Sequence, residues 1–200
     1  MPIALVTPAP RHLASYEEAL ERGYCPSTTR PALREEHLAA LRAAPEAFLA
    51  QQDDPEGKGS PMTLPDGSQV PRIPSIVRWM WDEAFAGSIS LRWQRGTADL
   101  PPLVLGHIGY SVVPWRQRRG YATRALALIL PEAARRGLTQ VDITTRPDNL
   151  PSQKVIAANG GVLVGEFTKG PEYGGSRELL FRIALARPAA APSGAVTATG

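Results

Sequence analysis

The stretch Gln117-Arg118-Arg119-Gly120-Tyr121-Ala122 lies between an apolar run and a segment whose apolar residues recur at helical spacing. The run 103–113 predicts a buried strand, and Pro114 ends it because proline cannot donate to a sheet ladder. The segment 122–136 predicts an amphipathic helix. Gly120 lets a ligand approach the backbone N–H groups that a first helical turn leaves unpaired, and the helix dipole favours an anion there. The stretch predicts a phosphate-binding loop, with an ordinary basic surface turn as the alternative.

A second motif follows the same order of strand, loop and helix. The run 141–145 predicts a strand, and the helix after it begins near Asn149 and stops at Gly160. Asn149 is also a favoured helix N-cap, with Ser152 three residues later. The first motif is surrounded by positive charge from Arg116, Arg118 and Arg119.

At these residues the chain resembles the GNAT superfamily of acyl-CoA-dependent N-acetyltransferases. Gln117, Gly120 and Ala122 match the phosphate-loop pattern of that family, Gln/Arg-x-x-Gly-x-Gly/Ala, and Asn149 and Gly160 match the limits of its next helix. The resemblance extends over about residues 75 to 185. The helix after Asn149 looks more like the branch of ribosomal-protein and small-molecule acetyltransferases than the histone branch.

The resemblance implies an α/β (α+β) fold, with a mixed, mostly antiparallel central sheet of about six to seven strands flanked by helices. It implies acetyl-CoA as co-substrate without a metal. In this family a splayed or bulged fourth strand also presents free backbone groups to the cofactor. The cofactor-binding residues implied are Val112, Val113, Gln117, Arg118, Arg119, Gly120, Tyr121, Ala122, Thr123, Asn149 and Ser152.

The catalytic residues stay open at this point. Histone-type members carry a catalytic Glu where this chain has Gly106, and many members carry an acid Tyr where it has Ile156. An amine acceptor still needs a base, because it is mostly protonated at pH 7. The candidates for the base are His107, Glu83 and Glu172. The candidates for the acid are Tyr110, Tyr121 and Tyr173, unless the thiolate leaves without a dedicated acid.

Composition excludes several other classes. The single cysteine, Cys25, cannot form an internal disulfide, and no apolar run approaches the length of a membrane span or a signal peptide, so we expect a cytoplasmic protein that does not enter membranes. Residues 1–100 carry a net charge of −3 and residues 101–200 one of +6. The basic half suits an anionic cofactor. No DNA-binding signature or aromatic stripe indicates a nucleic-acid partner.

The remaining pattern predicts one domain over 1–187 and a disordered tail over 188–200, which is poor in large apolar residues. We expect strands at 3–6, 76–81, 87–93, 162–165 and 177–185, and helices at 12–22 and 32–51, the second interrupted near Pro45. The Gly-, Pro- and Asp-rich segment 53–74 predicts a long loop, either covering the acceptor site or disordered. Arg92 lies in an apolar strand and needs an acidic partner or a ligand, unless it faces solvent at an edge.

These observations predict an N-acetyltransferase that acts on a primary amine of a small molecule or peptide. A catalytically silent acyl-CoA-binding module and a nucleotide-binding protein are the alternatives. Whether the protein is a monomer or a homodimer is open.

Overall fold

The N-terminal half of the chain combines three helices with a long antiparallel hairpin. The computed structural model describes residues 3–27, 30–64 and 66–186, without the side chain of Glu172. The elements are β1 (Ala4–Val6), α1 (Leu13–Glu21), α2 (Leu33–Ala43), α3 (Pro45–Ala50), β2 (Asp53–Asp54), β3 (Met62–Thr63), β4 (Gln69–Val70), β5 (Ser75–Asp82) and β6 (Ala84–Arg92). The predicted break at Pro45 is confirmed, because this proline opens α3 at a position where its missing N–H has no helical partner to lose.

The C-terminal half alternates strands and helices. It consists of β7 (Ile108–Val112), α4 (Tyr121–Arg135), β8 (Gln140–Thr145), α5 (Leu150–Ala157), β9 (Val162–Thr168) and β10 (Arg177–Ala184). Pro114 begins a short 3-10 turn directly after β7, as expected for a residue that cannot continue the ladder. The predicted apolar face of α4 is confirmed. Its buried residues are Tyr121, Ala125, Leu126, Ile129 and Ala133.

The strands pair antiparallel in every sheet of the described residues. One sheet has the order β1-β5-β6-β7, with β2 also paired to β5; a second has the order β8-β10-β9; β3 and β4 form a short hairpin. The seven predicted strands all form, although the one predicted over 103–113 is confined to Ile108–Val112, and the mixed, mostly antiparallel α/β class is confirmed. The expected single central sheet of six to seven strands is instead divided between two sheets, because β7 and β8 do not pair as ladder neighbours.

Apolar residues cover both faces of the first sheet. On one face, Ile89 and Leu91 of β6 pack with Leu126 and Ile129 of α4. On the other face, α1 and α2 cover an aromatic cluster that includes Trp79. Since successive strand residues point to opposite faces, β5 and β6 supply residues to both cores.

Gly87 sets how closely β6 approaches β7. A Cβ at this glycine would lie 2.3 Å from the Ser111 carbonyl oxygen and 2.9 Å from Val112 Cα. The pairing of β6 with β7 is regular through Val112, so β7 carries no bulge on that side; the splay, the other form that the resemblance implies, lies on the opposite edge, where β7 does not pair with β8. Within this sheet, a register shift lies between Met80 and Trp81, where β5 pairs with β6.

The described part of the segment 53–74 is mostly irregular, as the predicted loop requires, and contains three strands of two residues each. Asp53 in β2 accepts a hydrogen bond from the Arg78 guanidinium at 2.7 Å, which fixes the start of the segment to β5. The predicted tail 188–200 lies outside the described residues. No helix in the described ranges is long and apolar enough to cross a membrane.

Candidate active site

The loop before α4 presents a row of unused backbone donors. Arg118 has φ 58° and Gly120 has φ 78°, so the chain turns twice into the left-handed region before the helix starts. The first intrahelical bond runs from the Arg124 N–H to the Gly120 carbonyl at 3.0 Å. Within the described part of the chain, no acceptor meets the N–H groups of residues 118–123. Successive backbone donors in this arrangement form an anion-binding concavity.

Space above the loop is open. A Cβ placed on Gly120 would meet nothing within 4 Å, and residues 117–120 are exposed. An anion can therefore reach the backbone donors directly. The donor set and the open cradle fit a phosphate group, as the sequence predicts.

The arginines of the loop divide into two groups. Arg118 and Arg119 are exposed, and neither has an ion pair among the residues that the structure describes. Arg116 points inward: its Nη1 donates to the Asp82 carbonyl at 2.8 Å and lies 3.5 Å from the Asp82 carboxylate. It was expected to add mobile charge around the loop and does not.

Two further side chains of the predicted site are turned toward the protein. Tyr121 is buried, and its hydroxyl donates to the Asp82 carboxylate, so only its backbone faces the cradle. Gln117 donates from Nε2 to the Val112 carbonyl at 3.2 Å. Both contacts hold the loop against the strands rather than reach into solvent. Ala122 and Thr123 occupy the first turn of α4 and are partly exposed.

The edge of β7 that faces away from β6 carries free backbone N–H groups. Val113 donates its N–H to the Ala86 carbonyl at 3.0 Å, so the N–H group of Val113 points toward β6. In an antiparallel ladder the direction alternates, so Tyr110 and Val112 direct their N–H groups to the open edge. The structure thus differs from the expectation for Val113, whose N–H is occupied; the free donors are at 110 and 112.

The two sheets meet at one point. His107 donates its backbone N–H to the Asp142 carbonyl at 2.7 Å, and its Nδ1 accepts from the Asp142 N–H at 2.9 Å. The open edges of β7 and β8 are joined here, and no ladder pairing continues between them in the described ranges. This leaves a gap beside Tyr110 and Val112.

The same contacts show that His107 is poorly suited to be a base. With Nδ1 accepting a hydrogen bond, the neutral ring carries its proton on Nε2. The residue is 1% exposed, and burial lowers its pKa, which keeps it neutral. Its geometry is that of a residue that joins two strands.

The start of α5 closes one side of the gap. Asn149 Oδ1 accepts from the Ser152 N–H at 3.2 Å, which is the N-cap arrangement. The Tyr110 hydroxyl forms a 2.8 Å hydrogen bond with Ser152 Oγ, and burial raises the pKa of Tyr110 to about 12. Three predicted site residues, Tyr110, Asn149 and Ser152, are therefore brought together.

The other catalytic candidates lie away from this gap. Glu83 is exposed at the tip of the β5–β6 hairpin, with φ 60°. The Tyr173 hydroxyl donates to the Leu103 carbonyl at 2.5 Å. The side chain of Glu172 lies outside the described part of the structure.

A polar floor that sequence reasoning missed lies on the α1 face of β6 and β7. The Tyr24 hydroxyl forms hydrogen bonds with Ser111 Oγ at 2.6 Å and Ser88 Oγ at 2.9 Å. Burial raises the pKa of Tyr24 to about 12. The alternation of Ser88, Ser90 and Arg92 along one face is a signal for such a floor. No sequence signal indicates the contribution of Tyr24, because this residue is distant in the chain from both strands.

Comparison with known families agrees with this geometry. Residues 12–162, more than half of the chain, match the family model of the acetyltransferase (GNAT) domain. The chain belongs to the GNAT acetyltransferase family. A search of curated proteins by sequence found no match.

Solved structures with the same fold are GNAT acetyltransferases of low sequence identity. One is the microcin C7 self-immunity acetyltransferase MccE with acetyl-CoA and AMP, at TM-score 0.62 and 14% identity, covering 92% of this chain and 93% of that one. Another is RimL, a ribosomal L7/L12 α-N-protein acetyltransferase with coenzyme A, at TM-score 0.59 and 15% identity, covering 92% and 95%. Mycobacterium smegmatis RimJ with CoA-disulfide gives TM-score 0.53 and 20% identity, covering 92% and 86%.

Two positions of this GNAT chain exclude the side chains expected from the wider superfamily. Ile156 is 0% exposed and packs in the core on the α4 side, so its side chain does not reach the gap. A Cβ on Gly106 would lie 3.2 Å from the Asp142 carbonyl oxygen and 3.4 Å from the Thr144 nitrogen. The backbone of β8 therefore crowds a side chain at position 106. The described residues contain no cluster of His, Cys, Asp and Glu that could hold a metal.

Proposed function

We propose that this GNAT chain transfers an acetyl group from acetyl-CoA to a primary amine of a small molecule or a peptide. The observation that carries the proposal is the continuity between two sets of unused donors. The N–H groups of residues 118–123 form an anion cradle, and the free edge of β7 at Val112 begins six residues before Arg118. A long ligand with a phosphate end and an amide-containing arm matches both.

The chain offers partners for two parts of acetyl-CoA, the pyrophosphate and the pantetheine arm. The cradle, with Arg118 and Arg119, suits the pyrophosphate, because backbone donors and exposed cations both favour an anion. The free N–H groups of Tyr110 and Val112 suit the amides and the thioester carbonyl of the pantetheine arm. Bound there, acetyl-CoA supplies an activated acyl group.

The peptide groups of β7 also suit the chemistry of acyl transfer. A tetrahedral intermediate places negative charge on the former carbonyl oxygen, and fixed N–H donors stabilise that charge. The free N–H groups at 110 and 112 are such donors. They belong to a strand paired with β6, so they keep their position when charge develops.

The side chains near the open edge of β7 indicate which groups can act as acid and base. Tyr110 is the candidate acid that the fold brings to the gap, whereas Ile156 is buried and Tyr121 is bound to Asp82. A thiolate can also leave unprotonated, since thiols have pKa values near 8.5. We infer that the amine enters as the free base from solution, because His107 and Glu83 are not placed to deprotonate it.

The compartment, the partners and the domain boundaries are also part of the proposal. We propose a cytoplasmic enzyme that acts without a metal, a membrane or a nucleic acid, in one domain over 1–187. RimL is a ribosomal L7/L12 α-N-protein acetyltransferase and MccE is a microcin C7 self-immunity acetyltransferase, which supports both peptide and small-molecule amines as acceptors. Assembly as a homodimer remains a prediction.

Two measurements test the proposal. Calorimetric titration with acetyl-CoA and with desulfo-CoA measures binding, and release of free thiol on a panel of amines measures transfer. We expect both cofactors to bind and amine-dependent thiol release to appear only with acetyl-CoA. ATP or NAD binding as tightly as coenzyme A would contradict the proposal and favour a nucleotide-binding protein.

A catalytically silent acyl-CoA-binding module is the second candidate. The buried Ile156 at the position of the usual tyrosine favours it, because the chain then lacks the usual proton donor. Binding of acetyl-CoA without thiol release on any amine would support this module.

A further inference from the structure

Arg92 is the last residue of β6 and lies on the polar floor. Its backbone N–H donates to the His107 carbonyl at 2.8 Å, which fixes it beside the junction of the two sheets. Its side chain is on the same face as Ser88 and Ser90, because these residues alternate along the strand. The charge therefore stands at one end of a row of hydroxyl groups.

This guanidinium lacks the partner that similar arginines in the chain have. The side chains of Arg78 and Arg116 are 19% and 22% exposed, and each lies within ion-pair distance of an aspartate. Arg92 is also partly buried, but no described carboxylate lies within 4 Å of it. Its side chain makes a long contact, 3.5 Å from Nη2 to Ser90 Oγ.

Burial has a clear electrostatic consequence for Arg92. Loss of water lowers its pKa from the usual arginine value. Arginine nevertheless stays protonated in proteins, so the charge persists, and no carboxylate of the described residues forms an ion pair with it. A desolvated cation in this position is unfavourable, and an anion that enters the site relieves that cost.

The guanidinium lies over β7. Nη2 lies 3.2 Å from the point that a Cβ on Gly109 would occupy, so it extends over the strand at a residue without a side chain, and Arg92 keeps part of its surface exposed. Gly109 precedes Tyr110, whose N–H points to the proposed thioester. From Gly109 to Ser111 the strand rises ~7 Å, at about 3.4 Å per residue.

We propose that Arg92 binds an oxyanion, a carboxylate or a phosphate, carried by the amine acceptor. This inference rests on the proposed acetyl transfer and names its substrate class: an amine separated by several bonds from an anionic group. The planar guanidinium fork binds both oxyanions through paired donors. The hydroxyls of Ser90 and Ser111 line the path between the anion and the reacting amine.

The test compares amines that differ only in the anion. One pair is glycylglycine and glycylglycinamide; the other is O-phosphoethanolamine and ethanolamine. For at least one pair we expect kcat/KM, measured by coenzyme A release, to favour the anionic member roughly 10- to 100-fold, as for a charge-assisted contact. The pair that shows the preference tells carboxylate from phosphate. This comparison uses the wild-type protein.

Variants assign the preference to Arg92. Arg92→Gln should abolish it, and Arg92→Lys should retain part of it, because the charge remains without the fork. Arg34→Gln, at an arginine paired with Glu35 on the surface of α2, serves as the matched control and should leave it unchanged. Acetyl-CoA affinity should stay within about twofold in all three variants, since Arg92 faces the acceptor side.

The outcomes separate this inference from the proposed function. Equal rates within both pairs would overturn the role of Arg92 and leave acetyl transfer intact. If no amine is acetylated, direct titration of glycylglycine and O-phosphoethanolamine decides, with and without bound acetyl-CoA. Binding that Arg92→Gln abolishes supports the anion site even though transfer fails. Absence of binding, or binding that Arg92→Gln leaves unchanged, overturns it.

Discussion

The imidazole of His107 accepts, through Nδ1, a hydrogen bond of 2.9 Å from the backbone N–H of Asp142. The backbone of His107 returns a bond of 2.7 Å to the Asp142 carbonyl. This pair joins β7 to β8 at one point, so the gap beside β7 begins at a fixed place. A histidine that looks like a base in the sequence is thus part of the scaffold that shapes the site.

Gly120→Val should abolish coenzyme A binding in a folded protein. The new side chain would occupy the open cradle, and φ 78° is unfavourable for a β-branched residue. Calorimetry should show at least about a tenfold loss of affinity, or ~1.4 kcal/mol. Gly137→Val is the matched control, because Gly137 has φ 84° and open space at the other end of α4. Equal affinities in both variants would remove the cofactor from this loop.

Raising the salt concentration should weaken coenzyme A binding, and Arg118→Gln/Arg119→Gln should flatten that dependence. Exposed charges are screened most strongly by salt, and both arginines are exposed. The control is Arg34→Gln/Arg95→Gln, which removes the same charge from residues already paired with Glu35 and Glu56. If the first double variant keeps the wild-type slope, the two arginines do not contact the cofactor.

The rate of acetyl transfer should rise with pH as the amine loses its proton, and then stay level to about pH 10.5. Burial raises the pKa values of Tyr110 and Tyr24 to about 12, so neither loses its proton in this range. Steady-state rates across the range check this. A falling limb centred near pH 10 would point to an exposed acid elsewhere; one Tyr→Phe change that removes the limb would then identify it.

The free energy of unfolding should fall as the pH drops from 6.5 toward 4. Burial lowers the pKa of His37 from 6.5 to about 4, so between these values the unfolded chain binds a proton that the folded one does not. The contribution of His37 to the free energy of unfolding is complete above pH 6.5 and is lost as the pH falls toward 4. The Tyr16 hydroxyl is 2.6 Å from His37 Nδ1, and His37→Asn keeps an acceptor there. Urea titrations should show that the free energy of unfolding falls between pH 6.5 and pH 4 by about 1–3 kcal/mol less in this variant than in the wild type. An unchanged pH dependence would exclude His37 as its source.

Installing the usual tyrosine by Ile156→Tyr should destabilise the protein without restoring an acid. Ile156 is fully buried, and a Cβ on Gly161 would already lie 2.3 Å from its side chain. Overpacking of this kind costs about 1–3 kcal/mol, whereas Ile156→Leu should cost less than about 1.5 kcal/mol. Thermal unfolding measures both. A stable Ile156→Tyr variant with faster turnover would show that the position can turn toward the thioester.

The phosphate loop could be predicted from sequence because its causes are local. Gly120 supplies the left-handed turn, and the spacing from Ala125 to Ala133 specifies the buried face of α4. The end of β7 follows from Pro114 alone. These features depend on neighbouring residues, which a single sequence displays.

The side-chain partners could not be predicted in the same way, because they are distant in sequence. Arg116 turns inward for Asp82, thirty-four residues earlier, and Tyr24 reaches Ser111, eighty-seven residues later. The division into two sheets depends on whether β7 and β8 pair, and neither strand's pattern encodes that. Arg92 is the exception. An arginine among apolar strand residues indicates that its charge requires an acidic partner or a ligand, and no described carboxylate forms an ion pair with it.

Amide chemical shifts during titration with acetyl-CoA report on the proposed cofactor site residue by residue. We expect the N–H signals of residues 118–123, Tyr110 and Val112 to shift together and to saturate at one stoichiometric equivalent. The signals of Val113, bonded to Ala86, and of Gly137 at the far end of α4 should move least. Shifts confined to other parts of the chain, or no saturable shift at residues 118–123, would contradict an acetyl-CoA site at the start of α4.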